Sequence, residues 1–391
     1  MSPWLRLVSL WAVAAVLFAV VSGAVSGGTT HDVLAALALP PLVAVAIAAW
    51  LRHRPLLPAA LVAIGLFGAA ALTIAPGIHL ALAAGALAAA VVLAALVHRT
   101  ASAPLGAWRD YLALTKPRIM VLLLITGFCG LVAGAAGLPS WDITIPAMLG
   151  LALACGGASA INQVMDRDID RLMGSRTERR PVAADRVPPE HALEFGLALS
   201  ALSFTILAGA VNPLTATLAL IGNLFYVLVY TGWLKRSTPQ NIVIGGAAGA
   251  VPPLVGWAAA TGSLAAPAIA LFLIVFLWTP PHFWALALLI KRNYAAAGIP
   301  MLPVVRGDRE TTKQIVLYSI ALVAFTVVPF AAGWFGAFYL AAALALGSVF
   351  IAYAIRLRLR TTPAHASSLF HYSLLYLALL FVAVAIDPVV S

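Results

Sequence analysis

Asn162, Asp166 and Asp170 stand at i, i+4 and i+8 in the stretch Asn162-Gln-Val-Met-Asp166-Arg-Asp168-Ile-Asp170-Arg171. On a continuing helix that spacing puts all three along one face, with Asp168 on another. Two carboxylates and an amide oxygen on one stripe make an oxygen-rich site for a hard cation. Mg²⁺ in particular keeps waters and bridges one or two carboxylates to substrate phosphates. Just beyond lie Arg176, Thr177, Arg179 and Arg180, and guanidinium forks match phosphate oxygens. A plainer reading makes the acids salt-bridge partners of Arg167 and Arg171, and the arginines topological charge. Carboxylates set against hydrocarbon are costly and mark functional sites, which favours the first reading for the acids.

A second polar stretch reads Lys291-Arg292-Asn293-Tyr294, then Gly298-Ile-Pro300-Met-Leu-Pro303, then Arg306-Gly-Asp308-Arg309. Basic groups, one acid and rigid Pro/Gly turns can close over a charged headgroup. Taken with the acidic stripe and the apolar sequence around both, the pattern suits a substrate with a diphosphate head and a long apolar tail.

The elements that must position these groups are membrane helices. Of 391 residues, 9% are charged and 63% hydrophobic, against roughly 25% charged in a soluble domain. So few charges cannot clothe a soluble surface. The formal net charge of +10 does not indicate nucleic acid as a partner; in a chain this apolar it reports topology and contact with anionic membrane lipid. Windows of about 20 apolar residues fall at 5–26, 33–51, 57–75, 78–98, 119–137, 145–164, 191–210, 213–231, 241–260, 265–290, 315–333, 336–355 and 368–387. With the N-terminus inside, all 23 Lys and Arg residues fall in inner segments. The positive-inside rule therefore predicts thirteen spans, N-terminus in and C-terminus out. Seven of the 13 acids lie between Asp166 and Glu194, so the acidic chemistry sits at that inner face. Cys129 and Cys155 lie in separate apolar runs with neither metal-ligand spacing nor a disulfide framework. The chain is expected to divide into a four-span segment (1–98), a cytoplasmic connector (99–118) and a nine-span unit (119–391).

The stretch from Asn162 to Asp170, followed by Met173 and Arg176-Thr177-Glu-Arg-Arg180-Pro181, resembles the first aspartate-rich motif of UbiA-type intramembrane prenyltransferases. Three further stretches resemble the branch that farnesylates heme b. They are Tyr230-Thr-Gly-Trp-Leu-Lys235-Arg236-Ser-Thr-Pro-Gln-Asn241, Pro252-Pro253-Leu-Val-Gly256-Trp257, and Trp278-Thr-Pro-Pro-His282-Phe-Trp284 with Tyr294 and Ala297-Gly-Ile-Pro300. The similarity runs from about Tyr111 to the C-terminus and implies an all-α bundle with a nine-helix core, preceded here by four extra spans.

The implied reaction takes a farnesyl group from farnesyl diphosphate to a vinyl substituent of heme b, adds a hydroxyl and gives heme O. The resemblance implies Mg²⁺ as cofactor, held with diphosphate by Asn162, Asp166 and Asp170. It implies diphosphate contacts from Arg176, Arg180, Lys235, Arg236 and Lys291, with Asn293 and Tyr294 beside them. It further suggests a bacterial plasma membrane location, and heme A synthase or oxidase assembly proteins as partners. The family pattern has Asp where this chain has Asn293; an amide offers an oxygen without a charge, which leaves a second metal contact open, with Asp308 the nearest acid in sequence.

Tyr226, Tyr230, Trp257, Trp278 and Phe283 are candidates to face an allylic cation, though for each one alone packing or an interface belt is the favoured reading. His282 follows Pro280-Pro281, which interrupt the helix hydrogen-bond ladder and can expose backbone to a cavity. It reads as a heme-iron ligand, a group orienting water, or a hydrogen-bonded bundle histidine. In residues 1–98, His31, His53, His79 and His98 near span ends admit a heme-ligating bundle, beside the plainer reading of a docking or lipid-facing scaffold. Rival readings of the whole are a UbiA-type enzyme with another aromatic or tetrapyrrole acceptor, and a secondary transporter. The clustering of acids at one face argues against the transporter.

Overall fold

The computed structural model describes residues 107–174 and 177–390, with three isolated positions (63, 64 and 90) before them. The four spans expected over 1–98, their histidines and Arg176 lie outside the described residues. Among the described residues nine helices are long and apolar enough to cross a membrane. They are α1 Pro117–Ala135, α2 Trp141–Met165, α3 Pro189–Ala210, α4 Pro213–Ser237, α5 Asn241–Thr261, α6 Ala266–Leu289, α7 Gly307–Ala331, α8 Ala337–Leu359 and α9 Pro363–Pro388. The described part is an all-helical membrane bundle.

Five helices begin before their apolar windows, the furthest at Gly307 instead of 315 and at Pro363 instead of 368. The first turns of those two hold Asp308, Glu310 and Lys313, and His365, Ser367 and Ser368. Hydropathy marks only the hydrocarbon segment, whereas the helix continues into the interface with its backbone bonds intact.

Proline starts several of these helices, at Pro117, Pro189, Pro213, Pro267 and Pro363, where its missing N–H costs nothing. Asn212 caps α4 by accepting from the Thr215 N–H at 2.9 Å, a bond worth about 1 kcal/mol at such a position. Asp387, buried near the end of α9, accepts from the Tyr339 N–H at 3.0 Å. A carboxylate thereby meets the positive end of α8. Pro252-Pro253 and Pro280-Pro281 lie inside α5 and α6, which continue through them. The two missing donors at Pro280-Pro281 interrupt the hydrogen-bond ladder without ending α6, which a packed membrane bundle tolerates.

Small residues set the closest approaches. A Cβ on Gly157 of α2 would come within 2.7 Å of the Gly196 carbonyl of α3, and one on Gly256 of α5 would overlap the Gly127 carbonyl of α1. Lipid supplies no hydrophobic drive between helices, so backbone contact of this kind is what packs them. Short connections join most neighbours; the two long ones follow α2 and α6. The resulting alternation of direction brings every described Lys and Arg to one end of the bundle.

Candidate active site

At that end, α2 stops at Met165 and a short helix, Arg167–Leu172, takes over. The expected single helix is interrupted at Asp166, whose φ of −93° and ψ of 7° leave the α region. Even so the ladder runs on: Asp166 N–H donates to the Asn162 carbonyl at 2.9 Å and Asp170 N–H to the Asp166 carbonyl at 2.7 Å. Asn162, Asp166 and Asp170 are therefore brought together, each at most 3% exposed. Asp168 lies at the rim, where Arg236 binds it with two bonds of 2.7 and 2.8 Å and holds its carboxyl down at about 2.

The cations around the buried acids come from three directions. Lys235, at the end of α4, donates to Asp166 Oδ2 at 2.6 Å. Arg180, in the long loop, donates to Asp170 Oδ1 at 2.7 Å. Lys116, just before α1, donates to Asn162 Oδ1 at 2.8 Å. Lys116 sits in the left-handed region at φ 50°, a conformation that costs a non-glycine residue about 1–2 kcal/mol. Burial, and after it the charge of Arg180, push its amine down to about 7. Lys116 was not singled out as a site residue in the sequence; its signal is a basic residue directly before Pro117, at the mouth of an apolar run.

Asn162 uses its oxygen on Lys116 and its amide hydrogens on Asp166 Oδ2 (2.8 Å) and Thr231 Oγ1 (3.0 Å). In this arrangement it orients Asp166, where the spacing suggested a third open oxygen. Thr231 belongs to a π-helical stretch, Phe225–Leu234, and donates five residues back to the Tyr226 carbonyl at 2.9 Å. Wide turns of this kind recur at functional sites; here it places Thr231 on Asn162 and delivers Lys235 to Asp166. Tyr226 and Tyr230 from the same stretch stack at 5.5 Å between centroids.

One oxygen of each carboxylate, Asp166 Oδ1 and Asp170 Oδ2, is buried without a hydrogen-bond partner. Burial raises the Asp170 carboxyl above its ordinary value, Asp166 adds to the rise, and Arg180 opposes both. Buried polar atoms left open are unusual and need a reason; a divalent cation bridging two carboxylates to phosphate oxygens would satisfy both atoms. Arg167 and Arg171 do not pair with these acids. Both turn to Asp185 at 2.6 Å, tying the long loop to the short helix and leaving Asp166 and Asp170 to the inner cations.

The second loop contributes less than its sequence suggested. Lys291 donates to Asp308 at 2.8 Å in an exposed pair, so both residues are engaged with each other at the surface. Asn293 donates through Nδ2 to the Met173 carbonyl at 2.6 Å, joining the two long loops. Its amide acts here as a donor, where the sequence suggested an oxygen for metal. Tyr294 is buried, and burial pushes its phenol up to about 12. Further down the bundle, His282 lies buried between α6 and α9; Trp278 stacks on it, Phe283 meets it edge-on, and Trp257 is half-buried. Cys129 and Cys155 are free thiols.

The described residues form a bundle of membrane helices with two buried carboxylates and convergent cations at one end. The chain belongs to the UbiA prenyltransferase family, whose model matches residues 123–381. It is 54% identical over 283 residues to the protoheme IX farnesyltransferase of Symbiobacterium thermophilum, covering 71% of this chain and 94% of that one. It is 51% identical over 285 residues to protoheme IX farnesyltransferase 1 of Pseudomonas fluorescens strain Pf-5, covering 73% and 94%. The protoheme IX farnesyltransferase of Roseiflexus castenholzii is 52% identical over 282 residues, 72% of this chain. The chain spans about half the length of that relative, 52%. Among solved structures it resembles a digeranylgeranylglyceryl phosphate synthase, with a TM-score of 0.61 at 18% identity over 72% of this chain and 98% of that one. It also resembles a UbiA homolog from Aeropyrum pernix K1, with a TM-score of 0.53 at 19% identity over 69% and 98%. At such identities the likeness concerns the fold.

Proposed function

We propose that this protein transfers the farnesyl group of farnesyl diphosphate to a vinyl group of heme b, giving heme O and diphosphate. The observation that carries the reading is the buried pair Asp166 and Asp170, each with one unpartnered oxygen, ringed by Lys235, Arg180 and Lys116. The acceptor is taken from the relatives at about half identity, each a protoheme IX farnesyltransferase.

Asp166 and Asp170 are the residues to hold Mg²⁺, which supplies charge stabilisation for the departing diphosphate. Lys235, Arg180 and Lys116 are placed to neutralise phosphate oxygens, and their partial burial strengthens that effect. Arg236, bound to Asp168, belongs to the rim of the same site. Breaking the C–O bond of farnesyl diphosphate releases diphosphate and leaves an allylic cation. The vinyl carbon of heme b gives its electron pair to form the new C–C bond. Water then adds to the resulting cation beside the porphyrin and loses a proton, leaving a hydroxyl. Tyr226 and Tyr230, stacked in the π-helical stretch that also carries Thr231, can shelter the cation.

In the proposed orientation the site faces the cytoplasm at a bacterial plasma membrane, with the N-terminus inside and the C-terminus outside. The proposed domain plan keeps residues 1–98 as a four-span extension and 119–391 as the catalytic unit. The connector between them joins the site through Lys116.

The test is an acceptor panel. Purified protein with Mg²⁺ and farnesyl diphosphate is offered heme b, an aromatic quinone precursor and a non-heme tetrapyrrole, and product masses are measured. A farnesylated, hydroxylated heme is expected. Prenylation of another acceptor, with heme b untouched, would replace this reading by the other-acceptor one.

A further inference from the structure

One buried polar cluster takes no part in the diphosphate chemistry. His282 of α6 and Ser373 of α9 meet with Nδ1 and Oγ 2.7 Å apart. Ser373 donates its hydroxyl hydrogen to the Phe370 carbonyl at 2.6 Å, and its own carbonyl accepts from Trp278 Nε1 at 2.8 Å. The imidazole is clamped on both faces. Trp278 stacks at 4.4 Å and 16°, and Phe370 at 4.8 Å and 21°. His282, Trp278 and Ser373 are all buried.

The hydrogen bonds decide the tautomer. A hydroxyl has one hydrogen, and that of Ser373 goes to Phe370. Its oxygen can therefore only accept from His282, so Nδ1 carries the ring proton and Nε2 of the neutral imidazole keeps its lone pair. The stacked rings cover the two faces and Phe283 approaches at right angles, its centroid 5.2 Å away; neither stacked ring takes the in-plane direction of Nε2. A bond to a metal runs in that direction, through the lone pair. Metal-bound histidines donate their other N–H to a fixed acceptor, which orients the ring and raises its basicity.

We propose that Ser373 is a positioning residue for His282, fixing its Nδ1–H tautomer so that Nε2 donates its lone pair to the iron of the heme substrate. This rests on the heme b reading above. The step is a dative bond, with no proton lost and no electron transferred.

The test titrates the purified full-length chain with heme b and follows affinity, absorbance and the resonance Raman iron–histidine stretch. Wild type is expected to show that stretch, His282→Gly to lose it, and added imidazole to restore it. Ser373→Ala is expected to weaken heme binding about 10- to 100-fold and to shift the stretch, while KM for farnesyl diphosphate holds and Ser373→Thr behaves as wild type. Ser373→Cys, close in size but a weak acceptor, gives the same readout if the alanine variant does not fold. Ser373→Ala or Ser373→Cys with wild-type affinity and spectrum overturns the proposal, as does an unchanged spectrum in His282→Gly. If wild type neither binds heme b nor makes heme O, the proposed function falls with it; if heme O forms normally in wild type and the variants, only this inference falls.

Discussion

Lys235 and Asp166 lie 69 positions apart in the chain, yet Nζ and Oδ2 meet at 2.6 Å with the side chains 9% and 1% exposed. The bond ties the end of α4 to the end of α2. It works only with both partners present, because a buried charge left alone is far more costly than the pair is favourable.

Lys235→Met is accordingly expected to lower stability by about 3–5 kcal/mol, while Asp166→Asn with Lys235→Met recovers part of the loss. Thermal unfolding of the single and double variants in detergent checks this. Strict additivity of the two changes would mean that the pair is not coupled.

Lys116→Met removes the cation that binds Asn162 Oδ1. A hydrogen bond to a charged group is worth about 1.5–3 kcal/mol, so KM for farnesyl diphosphate should rise about 10-fold or more. An unchanged KM would take Lys116 out of the substrate site.

Asn293→Asp sets a carboxylate against the Met173 carbonyl, which now receives the Nδ2 hydrogen at 2.6 Å. The variant should lose about 1 kcal/mol of stability, the scale of one lost hydrogen bond in a partly buried place. A variant that is instead more stable, with higher Mg²⁺ affinity, would show that position 293 faces the metal.

The Arg167 hydrogen bond, helped by Arg171, holds Asp185 below the ordinary carboxylate range. A depressed folded value means the pair contributes above the unfolded value, near 3.9, and its contribution is lost as pH falls through the folded one. The Asp185→Asn variant should therefore be slightly less stable than wild type at neutral pH, with the gap constant down to about pH 4 and closing below it. Unfolding temperatures of both proteins across that range decide the matter; the exposed position keeps the gap small and sensitive to salt.

Much of this arrangement is readable from residue order because membrane helices leave few charges to explain. Asn162, Asp166 and Asp170 announce themselves by a fourfold spacing, and the nine described spans by hydropathy. What stays hidden is contact between distant elements. Nothing local in the sequence says that Arg167 and Arg171 prefer Asp185, that Lys291 is engaged by Asp308, or that Asn293 donates to Met173. Lys116 escapes because its role depends on a left-handed turn before Pro117, and Thr231 because it depends on a π-helical winding. Ser373 is one serine among several in α9, and only the packing of α9 on α6 gives it a histidine to hold.

The most direct test of the central claim is a single-turnover reaction of the purified protein with heme b and farnesyl diphosphate, following heme O and released diphosphate with and without Mg²⁺. Both products are expected in equal amounts, dependent on the cation, and reduced about 100-fold or more in Asp166→Ala, the scale of a lost electrostatic contact in a reacting site. Undiminished heme O in the presence of a chelator, or in Asp166→Ala, would contradict the account.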